Sequence, residues 1–322
     1  MAVLLLRAKD VALACPMEDA IDAVEAGFRA LSTGQATTPV RLSVPINKEG
    51  VALTMPASLA GAAWYSVKVV SVAPGNRSAG RPLVAATVLL IDASSGDLVA
   101  LIEGGALPAL RTGAAGGVAA RALARPAAAV ATLFGAGAQA RTQLLGLVAV
   151  RPISEVRVVT RDPAHATAFC RWAADEPRLA GISVQPSAMA GALDGTDVVV
   201  TATTSADPVF PGALLPPGVH ITAVGSFTPA MRELDDDAVR GARVVVDQRA
   251  AALAEAGELR GLRPSDVAEI GEVLTGAVPG RTTAAERTLF KSVGNAIQDL
   301  VVATRAFERA RAQGLGELIT FP

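Results

Sequence analysis

The stretch Thr132–Arg141, TLFGAGAQAR, places the pattern Gly-x-Gly-x-x-Ala between an apolar run and a segment that favours a helix. Gly135 permits a tight turn after the strand, Gly137 lets a phosphate approach the backbone, and Ala140 lets the helix pack closely on the strand. The free N–H groups and the positive end of such a helix attract a pyrophosphate. An ordinary strand-to-helix turn is the alternative, but the order of the elements favours dinucleotide binding. The predicted loop consists of Gly135, Ala136, Gly137, Ala138 and Gln139.

Strands and helices alternate on the C-terminal side of this motif, which predicts an α/β domain with a doubly wound parallel sheet. A last helix over Thr288–Arg311 is expected to leave this domain and return to the first part of the chain. The apolar runs predict strands at Val130–Phe134, Glu155–Thr160, Ile182–Gln185, Asp197–Ala202, Val219–Gly225 and Ala242–Asp247, with helices at Gln139–Val150 and Ala164–Ala174.

The part of the chain before the motif predicts an antiparallel α+β unit. A helix is expected over Cys15–Gly34, followed by short strands in VRLSVPI, GVALTMPA, AWYSVKVVSV and PLVAATVLLID, and by a hairpin in DASSGDLVALI. A helix over Gly113–Ala124, ended by Arg125-Pro126, is expected to link two domains. The predicted boundaries are residues 1–112 for the first domain, 113–297 for the nucleotide domain and 298–322 for a C-terminal helix that returns to the first domain.

Composition favours a globular protein that binds a small molecule. The 322 residues are 51% hydrophobic, and 29 Lys and Arg balance 30 Asp and Glu, so no strong field attracts nucleic acid or an anionic membrane. The apolar segments are interrupted before they reach about 18 residues, which argues against a membrane span. Cys15, Cys170 and two scattered histidines, His165 and His220, fit no metal site. We expect no metal and a cytoplasmic location.

The residues after the second strand of the nucleotide domain predict which dinucleotide is bound. An acidic residue there accepts from the ribose 2′-hydroxyl of NAD, whereas arginine accommodates the 2′-phosphate of NADP. Here the strand ends in Thr160 and Arg161, which favours NADPH, with NADH as the alternative. Asp162 either turns back to the ribose or caps the following helix, and the cap is the favoured role.

The chain resembles the ornithine cyclodeaminase and mu-crystallin family over nearly its whole length. The segments that carry the resemblance are TPVRLSVP, LTMPA, SVKVVSVAPGN, LLIDASSGDLVALIEGGALPALRTGAA, LFGAGAQAR, VGSFTPAMRELDD and LFKSVGNAIQDL. The resemblance implies a domain, built from the first and last parts of the chain, that binds substrate and pairs with its twin in a homodimer. It also implies a small α-amino or α-imino acid substrate.

The resemblance also assigns roles to individual residues. Arg41, Lys68 and Arg111 match positions that hold the substrate carboxylate, with Lys68 and Arg111 as the catalytic candidates, and the charges suit this role because arginine offers a planar fork and lysine a compact donor. Surface charges and a sheet-edge lysine are the alternatives. Met55 matches a pocket residue or is a core methionine. The predicted cofactor contacts are Thr112, which alternatively caps the linking helix, Thr203 and Ser205 near the adenosine, and Ser226, Ser292 and Val293 near the nicotinamide.

Two departures from the family pattern narrow the predicted reaction. Members that convert ornithine to proline carry an Asp where this chain has Phe227, and an acid where it has Leu53. Neither side chain can accept a proton or pair with a second amine, so they leave an apolar wall suited to a ring. The acids at 235–237 look like a helix start and lie too far along to substitute.

The expected activity is therefore that of the ketimine or pyrroline-2-carboxylate reductase type, an NAD(P)H-dependent oxidoreductase. It would reduce Δ1-pyrroline-2-carboxylate or Δ1-piperideine-2-carboxylate to L-proline or L-pipecolate. Lys68 is the one nearby candidate for proton donor, and protonation of the substrate by solvent beforehand is the alternative. The alternatives are an ornithine cyclodeaminase, an alanine or N-alkyl-amino-acid dehydrogenase of the same family, and a non-enzymatic NADPH-binding protein similar to mu-crystallin.

Overall fold

The computed structural model describes residues 2–48, 50–76 and 80–320. The chain forms two compact units, one of Met1–Arg111 with Asn295–Pro322 and the other of Thr112–Gly294. Among the described residues, no helix is both long enough and apolar enough to cross a membrane.

The first unit contains most of the antiparallel structure. It begins with β1 (Ala2–Leu6), α1 (Ala8–Ala14), α2 (Met17–Ser32), β2 (Ala36–Thr37), β3 (Leu42–Pro45), β4 (Val51–Leu59), β5 (Trp64–Val72), β6 (Val84–Asp92) and β7 (Leu98–Glu103). Helix α3 (Ala106–Leu123) contains the boundary between the two units.

The second unit continues the chain with strands and helices that alternate for most of its length. Its elements are β8 (Val130–Phe134), α4 (Ala138–Val148), β9 (Glu155–Val159), α5 (Pro163–Asp175), β10 (Ser183–Pro186), β11 (Val198–Thr201), β12 (His220–Ala223), α6 (Asp236–Arg240), β13 (Arg243–Val246), α7 (Arg249–Glu255), β14 (Ala268–Glu269), α8 (Ile270–Thr275) and β15 (Thr288–Lys291). Helix α9 (Ala296–Gln313) and β16 (Glu317–Thr320) then complete the first unit.

The sheet of the first unit has the strand order β16-β1-β7-β6-β5-β4-β2, with β3 also paired to β4. The predicted hairpin in DASSGDLVALI is confirmed, because β6 and β7 pair antiparallel. The pairing of β1 with β7 is parallel, so the unit is not purely antiparallel as predicted. Helix α9 packs on one face of β4 and β5, where the Trp64 ring lies 5.4 Å from that of Phe307. Side chains on that face are consequently buried.

The sheet of the second unit has the order β10-β9-β8-β11-β12-β15-β13-β14 with all pairings parallel, as the alternating pattern predicted. The central strands are near-continuous buried apolar runs, which is typical of a parallel sheet covered on both faces. The carboxyl ends of these strands meet at one edge, where ligands bind in open α/β sheets.

The predicted last helix over Thr288–Arg311 is wrong at its start. Residues Thr288–Lys291 form β15 between β12 and β13, and α9 begins only at Ala296. A short apolar run fits a buried strand and a helix equally well. Gly294 has a positive φ of 85°, and the Asn295 side chain accepts from Ile297 N, so the helix starts after both residues.

Two other predicted helix boundaries also differ from the structure. The linking helix begins at Ala106 rather than Gly113, because the Glu103 carboxylate accepts from the N–H groups of Gly105 and Ala106 and so starts the helix early. The helix predicted over Cys15–Gly34 is α2, which begins at Met17, and it is preceded by α1, which the sequence pattern did not reveal.

Candidate active site

A buried cluster of charged side chains lies in the first unit. Lys68, near the middle of β5, donates from Nζ to Asp299 Oδ2 at 2.6 Å, and Arg111, on α3, donates from Nε to Asp299 Oδ1 at 3.1 Å. Arg111 Nη1 also donates to Gln298 Oε1 at 2.7 Å. Asp299 is fully buried, Lys68 is 3% exposed and Arg111 is 8% exposed. The Asp299 carboxylate therefore holds two cations, one on β5 and one on α3. We call Lys68, Arg111, Gln298 and Asp299 the basic cluster.

The environment of Lys68 lowers its pKa to about 8. Burial is the main cause, because removal from water disfavours the charged form. The negative charge of Asp299 opposes this effect, while the positive charges of Arg111 and Arg41 add to it. Lys68 is thus a lysine that can release a proton much more readily than one in water.

Two more predicted substrate residues belong to the same region of the first unit. Arg41 precedes β3 and is close enough to Lys68 for its charge to lower the lysine pKa. Met55 lies directly opposite Lys68 in the β4–β5 pairing and is 5% exposed. Leu53 shares that face of β4, since side chains two residues apart point the same way. The structure therefore brings Arg41, Met55, Lys68 and Arg111 together.

Asp299 and Gln298 were missed by the sequence reasoning, although both lie in the quoted segment LFKSVGNAIQDL. They stand in the first turn of α9, close to its Asn295 cap. Gln298 is fully buried, and its Nε2 has no hydrogen-bond partner among the described residues. An amide and an acid directly before the apolar run at residues 300–303 were the available signal, because polar groups beside a buried helix face need partners.

The glycine motif of the second unit forms the predicted turn between β8 and α4. Gly135 has a φ of +106°, and an added Cβ would lie 2.5 Å from Ala202 O. An added Cβ at Gly137 would meet no described atom within 4 Å, so the backbone there is open. Gly137 caps α4 without a side-chain hydrogen bond, which leaves N–H groups of the first turn available to an anion. The buried Oε1 of Gln139 also lacks a partner within the described chain. The open backbone at Gly137 and the available N–H groups fit the pyrophosphate of a dinucleotide.

The end of β9 contains the residues predicted to distinguish NADP from NAD. Thr160 Oγ1 donates to Asp162 O at 2.7 Å, and the Asp162 carboxylate accepts from Ala164 N at 2.9 Å. Asp162 therefore caps α5, as the sequence favoured. Arg161 is exposed and has no hydrogen bond or ion pair within the part of the chain that the structure describes. Its guanidinium is available to a phosphate.

The predicted cofactor contacts that carry hydroxyl groups follow the carboxyl ends of β11, β12 and β15. Thr203 Oγ1 donates to Glu233 at 2.8 Å, Ser226 Oγ donates to Glu258, and Ser292 Oγ donates to Asp247 at 2.7 Å. Val293 is also tied to Asp247, through its backbone N–H. Ser205 Oγ donates to Asp207 O within its own loop. All three buried acids were missed by the sequence reasoning.

Residues 1–314 match the model of the ornithine cyclodeaminase/mu-crystallin family. The chain belongs to this family. It is 36% identical over 315 residues to a Delta(1)-pyrroline-2-carboxylate reductase of Bacillus cereus, covering 95% of this chain and 96% of that protein.

Two solved structures of this kind share the whole fold. The structure of Thermococcus litoralis Delta(1)-pyrroline-2-carboxylate reductase in complex with NADH and L-proline has a TM-score of 0.92 and 37% identity, covering 98% of this chain and 100% of that one. An archaeal alanine dehydrogenase dimer with bound NAD has a TM-score of 0.93 and 34% identity, and each chain is covered completely.

Thr112, Phe227 and Asp235 lie in the second unit of the chain. Thr112 lies inside α3, so the alternative that it caps a linking helix is wrong, and its carbonyl accepts from Gln143 Nε2 at 2.6 Å. Phe227 lies in the loop after β12 and is 40% exposed. Asp235 caps α6 by accepting from Ala238 N, as expected of the acidic run.

Neither histidine lies where it could act as a catalytic acid. His220 is fully buried in β12, between the hydroxyls of Thr288 and Thr222 at 3.0 Å each, and burial lowers its pKa to about 3. His165 is exposed on α5. Among the described residues, no group of His, Cys, Asp or Glu could hold a metal ion.

Proposed function

We propose that this chain is a nicotinamide-dependent reductase that converts a cyclic α-imino acid to the corresponding L-amino acid. The observation that carries the proposal is the basic cluster, in which one buried carboxylate holds a lysine and an arginine. The dinucleotide loop of the second unit and the names of the similar proteins support it. The substrates would be Δ1-pyrroline-2-carboxylate or Δ1-piperideine-2-carboxylate, and the products L-proline or L-pipecolate.

The cations of the first unit would bind the substrate carboxylate. Arg111 presents a planar fork for two parallel hydrogen bonds, and Lys68 and Arg41 add positive charge. Gln298 adds an amide N–H group that has no hydrogen-bond partner within the described chain. Fixing the carboxylate orients the planar imine, and positioning of this kind is a large part of enzymatic rate acceleration.

Lys68 would also hold the proton that the imine nitrogen requires. The reaction adds one hydride to the carbon and one proton to the nitrogen of the C=N bond, so that a C–H and an N–H bond replace the π bond. The bound dinucleotide supplies the hydride. A lysine with a pKa of about 8 is protonated at neutral pH and gives up its proton at a moderate cost. Asp299 remains beside the lysine and stabilises its charged form.

Apolar residues at the positions where ornithine-converting members carry acids favour a ring over a second amine. Leu53 and Met55 lie on the same face of β4 as each other, beside Lys68, and Phe227 is a partly exposed aromatic ring in the second unit. None of these three side chains can accept a proton or neutralise an ammonium group. Ornithine deamination is therefore not expected.

We infer that NADPH is preferred over NADH. The Asp162 carboxylate caps α5, so it is occupied away from the ribose 2′-hydroxyl that an NAD enzyme would bind. The Arg161 guanidinium is available for the 2′-phosphate of NADP. Arg161→Ala should raise the KM for NADPH about tenfold, as expected for one charge-assisted contact, and leave the KM for NADH nearly unchanged. Equal losses with both cofactors would overturn the preference.

The proposed reaction is tested by mixing the purified protein with a panel of cyclic imines, pyruvate with ammonia or methylamine, and both reduced dinucleotides. Oxidation of the dinucleotide with a cyclic imine, and formation of L-proline or L-pipecolate, is the expected result. Oxidation only with pyruvate and an amine would favour the alanine or N-alkyl-amino-acid dehydrogenase alternative, which the similarity to an archaeal alanine dehydrogenase supports. Dinucleotide binding without any turnover would favour a mu-crystallin-like binding protein.

Ornithine distinguishes the remaining alternative. Incubation with ornithine and catalytic NAD(P)+ should release no ammonia and form no proline. Release at a rate comparable to imine reduction would contradict the roles given to Leu53 and Phe227.

We further propose that two copies of this chain form a dimer through the open face of the first sheet. Val40, Leu42, Val44, Ile46 and Val69 are apolar residues that are 66%, 63%, 49%, 49% and 38% exposed. Leu42 and Val69 share one face, because each lies opposite Thr54 in the strand register, and Lys68 points to the other face. An exposed apolar patch of this kind marks an interface. The similarity to a dimeric alanine dehydrogenase supports a second copy as the partner.

Substitution of Leu42 tests this surface. Leu42→Glu should convert the dimer to a monomer in light scattering at micromolar concentration, because the change places a charge in an apolar interface. Leu13→Glu is the matched control, since Leu13 is 61% exposed on α1 of the same unit. A monomeric wild-type protein would contradict the proposal.

A further inference from the structure

Three buried acids connect the ends of four neighbouring strands in the second unit. We call Glu233, Asp247 and Glu258 the strand-end acids. Glu233 is fully buried, Asp247 is 1% exposed and Glu258 is 3% exposed. The strands β11, β12, β15 and β13 are adjacent in this order in the sheet. Each acid connects one adjacent pair of these strands.

Glu233 connects the residues after β11 to the residues after β12. Its carboxylate accepts from Thr201 Oγ1 at 2.9 Å, from Thr203 N at 2.7 Å and from Thr203 Oγ1 at 2.8 Å. It also accepts from Gly225 N at 2.7 Å. Gly225 is required for this close approach, because an added Cβ would lie 2.3 Å from Glu233 Oε1.

Glu258 connects the loop after β12 to the end of β15. Ser226 Oγ donates to Glu258, and Lys291 Nζ lies 3.0 Å from its other oxygen. Lys291 also donates to Ser226 O at 2.7 Å and to Ser226 Oγ at 2.8 Å. Lys291 and Ser226 are both fully buried. The residue that follows Ser226 is Phe227, so this contact also fixes where the loop presents that ring.

Asp247 connects the end of β13 to the loop after β15. Its Oδ2 accepts from Ser292 Oγ at 2.7 Å, from Val293 N at 3.1 Å and from Gly294 N at 2.7 Å. Its Oδ1 accepts from Gln248 N at 2.9 Å. Several hydrogen bonds to one carboxylate are needed to offset the cost of burying its charge.

We propose that the strand-end acids are positioning residues that hold these loops in the shape that receives the dinucleotide. The hydroxyl groups of Thr203, Ser226 and Ser292 donate hydrogen bonds to these acids. They are therefore not free to donate to the cofactor, and the three residues act by fixing the shape of their loops. This inference rests on the proposed dinucleotide-dependent function. Preformed loops lower the ordering cost of binding, which is how a preorganised site gains affinity.

A double-mutant cycle separates this role from direct contact. Ser292→Ala and Asp247→Asn each remove or weaken the same hydrogen bond, so each should raise the dissociation constant of NADPH about tenfold, the size of one hydrogen bond to a charged group. The double variant should bind no more weakly than the weaker single variant. If Ser292 contacted the dinucleotide directly, Asp247→Asn would leave the affinity near that of the wild type, or the two losses would multiply. Either result would overturn the proposal.

Binding is measured by the fluorescence of reduced dinucleotide, together with the melting temperature of each variant. Asp197→Asn is the matched control, because Asp197 accepts from Ala129 N and Val130 N at the opposite end of the same sheet. The control should lower the melting temperature without changing the dissociation constant. An equal loss of affinity in the control would show that any loss of stability weakens binding, and would overturn the proposal.

A second cycle covers the case in which Asp247→Asn does not fold. Thr203→Val and Glu233→Gln alter the connection between β11 and β12. Their losses of NADPH affinity should again be non-additive in the double variant, and additive losses would contradict the proposal. Failure of the proposed reaction can be distinguished from failure of this inference. A wild-type protein that binds NADPH without reducing an imine contradicts the reaction, but both double-mutant cycles can still be measured by NADPH binding. A wild-type protein that binds no dinucleotide overturns both.

Discussion

The basic cluster of the first unit and two of the strand-end acids of the second unit, Glu233 and Asp247, use buried carboxylates in opposite ways. Asp299 pairs with two buried cations, Lys68 and Arg111, and its charge keeps them together. Glu233 and Asp247 accept mainly from neutral hydroxyl and backbone N–H groups. A carboxylate that holds cations controls charge and protonation. A carboxylate that holds loop backbones controls shape, so the two regions should respond differently to substitution.

The largest effect is expected in the basic cluster, where we propose that the charge itself binds the substrate. Lys68→Met should lower kcat/KM for a cyclic imine about a thousandfold, because it removes a buried cation and the candidate proton donor, a loss of about 4 kcal/mol. The dissociation constant of NADPH should stay within twofold of the wild type. Steady-state kinetics and dinucleotide fluorescence measure the two quantities. A parallel loss of NADPH binding would erase the distinction between the regions.

Arg111→Lys tests whether the fork matters in addition to the charge. The variant keeps a positive charge but loses the paired donors, one of which holds Gln298. We expect KM for the imine to rise about 10- to 100-fold, the range for hydrogen bonds to charged groups, with a smaller change in kcat. An unchanged KM would mean that charge alone binds the carboxylate.

Asp299→Asn should change the pH dependence as well as the rate. The pKa of Lys68 is about 8, and the proposed reaction requires the protonated lysine, so kcat/KM of the wild type should fall as pH rises through about 8. Asp299 raises that pKa, hence its neutralisation should move the alkaline fall to lower pH. At pH 7 we expect a loss of about tenfold, as for weakening one charged hydrogen bond. If kcat/KM of the wild type and of Asp299→Asn fell at the same alkaline pH, Lys68 would be excluded as the group whose titration causes the fall.

The smallest effect on activity is expected for a buried polar group away from the carboxyl end of the second sheet. His220 is the first residue of β12, and burial holds its pKa near 3, so the folded protein keeps it neutral. The unfolded chain binds a proton near pH 6.5, and stability should therefore fall as pH drops below that value.

His220→Gln should flatten this acid dependence in urea unfolding at pH 5 and pH 8 and leave kcat/KM within about twofold, as is usual for sites without ligand contact. A large loss of activity in this variant would show that any polar group in the sheet affects the site, and would weaken the contrast with the strand-end acids.

Much of the second unit was predictable because its signals are local. The alternation of apolar runs and helices indicated a parallel sheet, and the glycine motif fell at the predicted turn between β8 and α4. The cap formed by Asp162 was also predictable, because it acts on a residue two positions away. In contrast, the assignment of Thr288–Lys291 to a helix failed, since a four-residue buried strand has no periodicity that distinguishes it from part of a helix.

The sequence by itself determined the class of the fold, the dinucleotide loop and the family, because these depend on short patterns and on residues at fixed spacing. It also pointed to Lys68 and Arg111, through the resemblance. Only the tertiary structure identified the acids that these residues and the cofactor loops depend on. The Lys68–Asp299 bond joins residues 231 positions apart, and the Ser226–Glu258 bond joins residues 32 apart. Pairing of a buried charge is decided when distant elements pack together, and no local pattern encodes which partner is reached.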